Sequence, residues 1–565
     1  MKIISIFVVF LTLTLSSAYA GVDPSSNFWQ LTIRVSDDQA LLEHADRIPA
    51  LTKKVRSPGT LGRPVSLPYS LTWLSQSGSL LFSNSVIVTT GVRVPPEEGN
   101  LPSTMLPDEY CILRVAGPPD LSSVSELRLT RNDMTAITST VRIPRILTLK
   151  VISLPVSEAA RNTPVVSLMA EGPVGMHKVV DTGDDANRLV LVVLGDGYTT
   201  ANLAAGDFSN DVATLVNAFR TTPPWNLFFQ GANVYAIDVE SNEEGADYED
   251  ASPAAGGTVK DTYFNSAFWC GNIERLLCVT GDGGSLAYTA ANNYVGAGVW
   301  DEIIVLVNST KYGGSGGSIA VSSVNSAAAG VILHEFGHSF GNLADEYDYD
   351  HEGPYTGADP SNPNVDIDAS GSNLKWLIWV EEGTPLPTPD TAAYDNVVGT
   401  FEGAMYHQTG IYRPWRCCMM RALSCGFCPV CREALALEYF NMVSMADSID
   451  PAPGSTVYSI ASNAVLHISP IPVPGIQFTW AVDGVPVPGA TGDILVCSHD
   501  IFSSWTSTVS VAVSYPTPLV RKTLISESSH WNVIIPEPFA GIAGPLLCII
   551  LYRRHSGLTC TTLSS

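Results

Sequence analysis

The sequence predicts a multidomain protein in which a central α/β domain stands between an N-terminal all-β sandwich and a C-terminal β-sandwich. Its length of 565 residues corresponds to several domains of ordinary size. Short apolar runs with strand-like alternation fill both flanks, whereas the middle of the chain alternates apolar strands with helical patterns. Hydrophobic residues make up 45% of the chain, which is enough for each domain to bury a core.

Charge and cysteine content narrow the functional classes. The chain has 30 basic and 55 acidic residues, which gives a formal net charge of −25. This balance argues against nucleic acid and anionic membrane surfaces as partners, because both require positive patches. The 11 cysteines are an odd number, so at least one thiol is free, binds a metal or is lost in processing.

Residues 1–20 predict a secretory signal peptide. Lys2 precedes an apolar run at residues 3–15, and Ala18-Tyr19-Ala20 is a small-x-small cleavage pattern. The alternative is a transmembrane anchor, for which the apolar run is short. We therefore expect export to the extracellular space or the cell surface, where disulfides are permissible.

Residues 21–172 predict the N-terminal sandwich. β-Branched residues dominate its apolar runs, and helical periodicity is missing. The predicted strands include residues 31–35, 79–90, 125–130 and 148–154.

Residues 173–445 predict the α/β domain. A nearly continuous apolar strand at 188–194 precedes a predicted helix at 203–219. Further predicted strands lie at 233–241, 301–309 and 318–324. Alternation of strand and helix is typical of an α/β core.

Residues 446–535 predict an immunoglobulin-like β-sandwich. Spaced strand signals include residues 464–468, 478–482 and 508–513, with Trp480 on a middle strand followed by the turn Asp483-Gly484. By analogy of fold, this domain serves as a spacer or in adhesion.

Residues 536–565 resemble the sorting tails that exosortase systems recognise in Gram-negative bacteria. Pro536-Glu537-Pro538 precedes an apolar run at 539–552 and the pair Arg553-Arg554. The resemblance implies transient membrane retention, then cleavage and attachment at the bacterial surface. The apolar run is short and residues 555–565 follow the arginines, so a last buried strand is the alternative.

The main chemical signal is a pair of histidines at helical spacing. His334 and His338 lie one helical turn apart, so both imidazoles can bind a single Zn²⁺. Glu335 adjoins the first histidine and can reach a water on the metal. Zinc lowers the pKa of that water, and the carboxylate accepts its proton as general base.

The third metal ligand is less directly indicated. Gly341 follows His338 by three residues and predicts that the chain leaves the helix there in a left-handed conformation. Metzincin proteases place their third ligand three residues beyond such a glycine, where this chain has Ala344. We favour Asp345, with Glu346 as the alternative and His407 as a more distant one. The acidic run that continues through Asp348 and Asp350 also suits a Ca²⁺-binding loop.

Four ordered stretches together resemble the immunoglobulin A peptidase family of secreted zinc metallopeptidases. They are the motif at 331–350 and the stretches at 188–199, 234–247 and 410–435. The resemblance spans roughly residues 175–445 and implies a metzincin-like zinc peptidase domain with endopeptidase activity. It does not imply immunoglobulin A as the substrate.

The same resemblance suggests a methionine beneath the metal, and two tyrosines nearby are further candidates. Cys418-Met419-Met420-Arg421 resembles the family's Cys-x-Met-Arg element, so Met420 is the candidate for a methionine turn beneath the metal. Tyr406 and Tyr412 precede this element, and a tyrosine hydroxyl near the metal could stabilise an oxyanion.

Cysteines crowd the stretch after Tyr412. In an exported chain we favour disulfides among Cys417, Cys418, Cys425, Cys428 and Cys431 over a zinc knuckle built on the last two. Cys270 and Cys278 are expected to form another disulfide.

The leading hypothesis is therefore a secreted or surface-attached zinc endopeptidase that acts on an extended polypeptide. The strand at 318–324 has the alternation of a sheet edge and could pair with that substrate. The alternatives are a non-catalytic surface adhesin on a degenerate protease scaffold and a zinc amidase acting on cell-wall material. The sequence does not set the oligomeric state.

Overall fold

The computed structural model describes residues 27–35, 40–48, 66–74, 80–89, 109–117, 124, 126–131, 146–150, 172–349, 353–459 and 463–535. The predicted signal peptide at 1–20, the predicted sorting tail at 536–565 and Asp350 lie outside the described residues. Within the ranges described, no helix has the length and apolar character needed to span a bilayer.

The chain divides into two compact units after Met445. The first unit takes in two later segments, residues 471–476 and 515–525. The second consists of the remaining described residues from Ala446 onward.

The described N-terminal residues are all in strands except Val124. The strands are β1 (Asn27–Val35), β2 (Ala40–Ile48), β3 (Ser66–Leu74), β4 (Leu80–Thr89), β5 (Glu109–Gly117), β6 (Glu126–Arg131) and β7 (Ile146–Lys150). They form two antiparallel sheets, one in the order β2-β1-β5 and the other in the order β4-β3-β6-β7. The predicted β character of this region agrees with these strands, and the sandwich packing stays a prediction.

A six-stranded mixed sheet forms the centre of the first unit. Its strands are β8 (Gly172–Val180), β9 (Leu189–Asp196), β10 (Ala232–Glu240), β13 (Glu302–Val307), β14 (Gly314–Ser315) and β15 (Ala320–Ser323), in the order β14-β15-β13-β9-β10-β8. The four inner strands are parallel, and the outer two run antiparallel to their neighbours. All eight residues of β9 are buried, as expected for a parallel strand whose sheet is covered on both faces.

Helices pack around this sheet. Within the described ranges the α-helices are α1 (Thr200–Ala205), α2 (Asp207–Thr221), α3 (Trp225–Phe228), α4 (Gly283–Ala291), α5 (Ala328–Gly341) and α6 (Pro429–Met442). The predicted helix at 203–219 is interrupted at Gly206. This glycine has a left-handed φ of 82°, and it ends α1 and directly precedes α2. Aromatic contacts join α2, α3 and α5, since Phe336 packs edge-on against Phe219 and Trp225.

The end of β9 is tied to a neighbouring loop through Asp196. Its buried carboxylate accepts hydrogen bonds from Thr262 Oγ1 at 3.1 Å and from the backbone N–H groups of Phe264 and Ser266 at 3.0 and 3.1 Å. This loop leads into the short hairpin of β11 (Ser266–Ala267) and β12 (Cys278–Val279). A second hairpin joins β16 (Phe401–Ala404) to β17 (His407–Arg413).

The prediction that residues 318–324 form a sheet edge is wrong. β15 lies between β13 and β14, and its four residues are buried. The outer strand is β14, and the backbone N–H of Leu277 donates to the carbonyl oxygen of Gly314 at 3.3 Å. A two-residue strand in the glycine-rich segment 313–317 carries no alternation, so the pattern did not reveal it.

The second unit is built of two further sheets. Its strands are β18 (Ala446–Asp450), β19 (Thr456–Tyr458), β20 (Ala464–Pro470), β21 (Gln477–Val482), β22 (Val485–Pro486), β23 (Ile494–Cys497), β24 (Thr506–Tyr515) and β25 (Ile525–Ile534). The orders are β18-β20-β23 and β19-β25-β24-β21-β22. Trp480 is buried and stacks on Trp531 at 5.8 Å between ring centroids. Asp483 and Gly484 have φ of 50° and 80°, as a hairpin turn with two left-handed residues requires.

Candidate metal centre

Helix α5 brings the two histidines together. The helix begins at Ala328, ends at Gly341 and buries every residue from Val331 onward. His334 Nε2 and His338 Nε2 are 3.0 Å apart, as expected for imidazoles one turn apart on one helix face. The left-handed residue that ends the helix is Asn342, with φ 52°, and not Gly341 as predicted. Gly341 is needed for packing instead, because a Cβ there would lie 2.6 Å from Leu435 Cδ2.

Asp345 joins the histidines where the chain turns back after α5. Its Oδ1 lies 3.1 Å from His334 Nε2 and 3.2 Å from His338 Nε2, and all three side chains are buried. Two ligands held at about 2.0–2.1 Å from a tetrahedral zinc lie about 3.3 Å apart. The three atoms therefore have nearly the spacing of three ligands of one ion.

Hydrogen bonds fix the orientation of both imidazoles. Nδ1–H of His334 donates to the carbonyl oxygen of Met419 at 2.9 Å, and Nδ1–H of His338 donates to that of Leu343 at 2.6 Å. A carbonyl oxygen only accepts, so in the neutral rings both Nε2 atoms carry lone pairs. Two lone pairs and a carboxylate oxygen that converge in this way suit a cation, and the donor set of two imidazoles and a carboxylate suits zinc.

The Asp345 carboxylate is held by more than the histidines. Tyr406 Oη donates to Asp345 Oδ2 at 2.7 Å. Tyr406 lies in the turn between β16 and β17, where Met405 and Tyr406 have φ of 48° and 73°. Burial acts to raise the pKa of Asp345, but the charge and hydrogen bonds of the two imidazoles in their protonated forms outweigh it and hold that pKa well below its usual range. The structure thus places Tyr406 as a partner of Asp345.

Glu335 is buried between the histidines along α5. Possible ligand atoms of His334, Glu335 and His338 all lie within 4.8 Å of one another. A Cβ added to Gly316 would lie 2.3 Å from Glu335 Oε2, so the carboxylate rests against the glycine-rich segment 313–317. Because the Glu335 carboxylate lies within 4.8 Å of the imidazole ligand atoms, it can accept a proton from a water bound beside the histidines.

Glu346, the alternative third ligand, belongs to a different group. Successive side chains of an extended chain point to opposite sides, so Glu346 points away from the histidines. Its possible ligand atoms lie within 4.8 Å of the sulfur atoms of Cys418, Cys428 and Cys431, and all four side chains are buried. Burial, together with the Cys418 thiol, raises the pKa of Glu346 well above its usual range.

The cysteine-rich stretch contains both a disulfide and thiols. Cys417 and Cys425 are disulfide-bonded, whereas the three cysteines beside Glu346 are thiols. The expectation of disulfides throughout this stretch is therefore wrong for those three. Burial opposes ionisation of Cys428, but hydrogen bonds with the Cys418 and Cys431 thiols lower its pKa to about 6. Cysteine spacing could not reveal Glu346 as their neighbour, because it comes from a distant segment.

The predicted disulfide between Cys270 and Cys278 is not formed. Both residues are thiols in the structure, although hairpin β11–β12 brings them close enough to hydrogen-bond. The Cys270 thiol also donates to the carbonyl oxygen of Ala267 at 3.5 Å. Burial, with this neighbouring thiol, raises the pKa of Cys278 well above its usual range.

Three other predicted residues lie around the centre in different roles. Met420 is buried, and a Cβ on Gly337 would meet its Sδ at 2.9 Å, so it packs directly beneath α5. Tyr412 hydrogen-bonds with Glu402, away from the histidines. His407 Nδ1 donates to the carbonyl oxygen of Gly353 at 2.8 Å, so the structure does not bring it to the metal ligands.

The acidic run after α5 does not form a Ca²⁺ site among its described members. Asp345 faces the histidines, Glu346 faces the cysteines, and Asp348 lies 3.7 Å from Arg421 Nη2. Calcium needs several oxygen ligands around one point, and these carboxylates diverge. The expectation of calcium is not supported.

Comparison with known proteins finds a family match that spans the residues of this site. Residues 177–396 and 390–438 match the family model described as IgA Peptidase M64. The central domain resembles a peptidase family. This match supports the family resemblance inferred from the sequence. It also supports a peptidase activity, and the family suggests that the peptidase depends on a metal. A comparison with curated proteins finds no match.

Proposed function

We propose that the protein is an exported zinc-dependent endopeptidase with Glu335 as its general base. The observation that carries this proposal is the convergence of His334 Nε2, His338 Nε2 and Asp345 Oδ1 beside the buried Glu335 carboxylate. This arrangement lies inside the region that matches a peptidase family. It supplies three metal ligands and one base, which is the minimum set for metal-assisted hydrolysis of an amide.

Each residue has a defined part in the reaction. Zinc held by the two histidines and Asp345 would polarise the scissile carbonyl and lower the pKa of a water. Glu335 accepts the proton of that water and then delivers it to the nitrogen of the leaving amine. The carbonyl oxygens of Met419 and Leu343 keep both Nε2 atoms directed at one point, and Tyr406 holds the carboxylate of Asp345.

We further propose that the substrate is an extended polypeptide that passes along the glycine-rich segment 313–317. Gly316 lies against the Glu335 carboxylate, and glycines let another backbone approach closely. The strand at 318–324 is no longer a candidate for substrate contact, because it is paired on both sides within the sheet. Cleavage within peptides, away from their ends, is the expected result of such a path.

The proposal of export and surface attachment is supported by the sequence patterns at both ends of the chain and by one disulfide. The Cys417–Cys425 disulfide agrees with an oxidising compartment, and residues 1–20 have the pattern of a signal peptide. Residues 536–565 have the pattern of a sorting tail. Mass analysis of the mature protein should show removal of residues 1–20 and cleavage near Pro536-Glu537-Pro538; full-length mature protein would refute both processing steps.

The activity is tested with the full exported chain on casein and on a peptide library read by mass spectrometry. We expect internal cleavage that stops on chelation and returns with Zn²⁺. The Glu335→Gln variant should bind zinc normally but lose at least about 100-fold in kcat/KM, the range of general-base catalysis. Exposed Glu381 provides the matched control, Glu381→Gln, with unchanged activity.

Other outcomes would reject the proposal. Stoichiometric zinc without cleavage of any peptide would favour the adhesin, in which the scaffold has lost catalysis. Release of amino groups from cell-wall material, with peptides left intact, would favour the amidase. Equal cleavage by wild type and Glu335→Gln would remove Glu335 from the mechanism.

A further inference from the structure

A second cluster of ligand-type side chains lies behind the candidate metal centre. It consists of Glu346, Cys418, Cys428 and Cys431, called here the thiol–carboxylate cluster. Cys418 Sγ lies 3.6 Å from Cys431 Sγ, and Cys431 Sγ lies 3.3 Å from Glu346 Oε1. Each side chain is at most 2% exposed, so no bulk water reaches the cluster.

One atom of this cluster is not satisfied by the protein. Glu346 Oε1 accepts a hydrogen bond from Asn364 Nδ2 at 2.9 Å, but Oε2 is buried and has no hydrogen-bond partner among the described residues. Burying a carboxylate oxygen without a partner is unfavourable, and such groups in folded proteins are usually paired or bind metal ions. A ligand that attracts both a carboxylate and sulfur atoms would remove this penalty.

We propose that the thiol–carboxylate cluster is a structural metal site that binds Zn²⁺ through three thiolates and the Glu346 carboxylate. Four protein ligands complete a tetrahedral shell, which is typical of structural zinc sites and leaves no position for a reacting water. Sulfur atoms bound to one tetrahedral zinc lie about 3.8 Å apart, close to the 3.6 Å between Cys418 and Cys431. Thiolates favour zinc over harder cations such as Mg²⁺ and Ca²⁺.

Backbone N–H groups around the cluster can stabilise thiolates by donating hydrogen bonds to their sulfur atoms. The N–H of Cys428 donates to Cys418 Sγ at 3.4 Å, and the N–H of Cys431 donates to Cys428 Sγ at 3.4 Å. Cys428 caps the N-terminus of α6, where the helix dipole favours negative charge. Buried Arg413 adds positive charge near Glu346. These features offset part of the charge that three thiolates and a carboxylate bring to the site.

The cluster supports the residues that hold the first metal centre. The N–H of Glu346 donates to the carbonyl oxygen of Met420 at 2.8 Å, and the carbonyl oxygen of Met419 orients His334. Cys418 immediately precedes these two residues. An ion in the cluster would therefore fix the 418–420 turn and the Asp345-Glu346 peptide together. The site itself does not depend on the proposed hydrolase activity.

The test is the metal content of the full chain after purification and dialysis against a trace of Zn²⁺. Wild type should retain two zinc ions per chain, and His338→Ala should retain one because only the first centre is broken. Cys431→Ser should also lose one ion. Cys497→Ser is the matched control, since this thiol lies in the second unit, and should retain both.

Spectroscopy of the His338→Ala variant identifies the ligands without any activity measurement. The Co²⁺-loaded variant should show the near-ultraviolet thiolate-to-cobalt charge-transfer band. In the Zn²⁺-loaded variant, X-ray absorption at the zinc K-edge should report three sulfur ligands near the distance of about 2.3 Å that is typical of Zn–S bonds. This measurement decides the question even if Cys431→Ser does not fold.

Two results would overturn the inference. One is a His338→Ala protein that folds but holds no metal. The other is peptide mapping that finds a disulfide between Cys428 and Cys431, with the mass of two hydrogens missing, since an oxidised pair cannot bind zinc. Either result would leave the proposed endopeptidase untouched, because Glu335 and its ligands are tested separately.

Discussion

At the residue scale, the hydroxyl of Tyr406 helps to orient the Asp345 carboxylate. Tyr406→Phe removes the 2.7 Å hydrogen bond to Oδ2 and leaves the ring. We expect zinc affinity of the first centre to fall about 10- to 100-fold, as is typical when a partner of a metal ligand is removed. Competition with a chromogenic chelator measures this change.

The neighbouring tyrosine provides the control for that variant. Tyr412 hydrogen-bonds with Glu402, so Tyr412→Phe should leave zinc affinity unchanged. A Tyr406→Phe protein that keeps its zinc affinity but loses kcat would contradict the positioning role. It would instead support the role in oxyanion stabilisation expected from the sequence.

At this scale the sequence predicted the histidine pair from its spacing and favoured Asp345 as the third ligand. Two histidines four apart must share a helix face, and the structure brings Asp345 to them. The sequence favoured Asp345 but did not exclude Glu346, because the choice depends on which way each side chain points after the helix ends. The cysteines show the same limit, since their carboxylate neighbour comes from more than 70 residues away in the chain (Cys431 and Glu346 are 85 residues apart).

At the element scale, the contact between α5 and α6 depends on a glycine. Alanine normally stabilises a helix interior by about 1 kcal/mol relative to glycine. Gly341→Ala should instead destabilise the protein by about 1–3 kcal/mol, because its Cβ would lie 2.6 Å from Cδ2 of the fully buried Leu435. Urea unfolding measures the sign.

A double-mutant cycle isolates that contact. In a Leu435→Ala background the same substitution should be less harmful, since the space it needs has been opened. A stabilised Gly341→Ala protein would show that the two helices can move apart without penalty.

Elements with a strong local pattern were predicted well. The apolar run of β9, the α5 motif and the Asp483-Gly484 turn each carry their own signal. β14 and the break at Gly206 were missed, because a two-residue strand and a single left-handed glycine hardly alter periodicity. Local sequence preference therefore indicates long helices and strands, whereas sheet edges and helix breaks depend on contacts with other segments.

At the scale of the whole molecule, the first compact unit includes part of the chain beyond Met445. The backbone N–H groups of Arg521 and Lys522 donate to Oε1 of buried Glu433 on α6, at 2.5 and 2.8 Å. Tyr515 also packs against Phe228 and Phe440. The segment 515–525 thus completes the surroundings of α6.

Truncation tests this inclusion. A chain of residues 21–445 leaves the Glu433 Oε1 atom without these two donors, each worth about 1.5–3 kcal/mol to a charged group. We expect its Tm to fall by roughly 5 °C or more relative to a chain of residues 21–535. Differential scanning fluorimetry measures this shift, and equal Tm values would show that the segment 515–525 contributes nothing to the stability of the first unit.

The Asp345-Glu346 peptide has a consequence for metal loading. Adjacent Cα atoms are about 3.8 Å apart, so one short piece of backbone would carry a carboxylate to each of the two proposed ion sites. Filling either site restricts the same dihedral angles that the other requires. The two loading equilibria are then thermodynamically reciprocal: whatever factor the first ion adds to the affinity for the second, the second adds to the first.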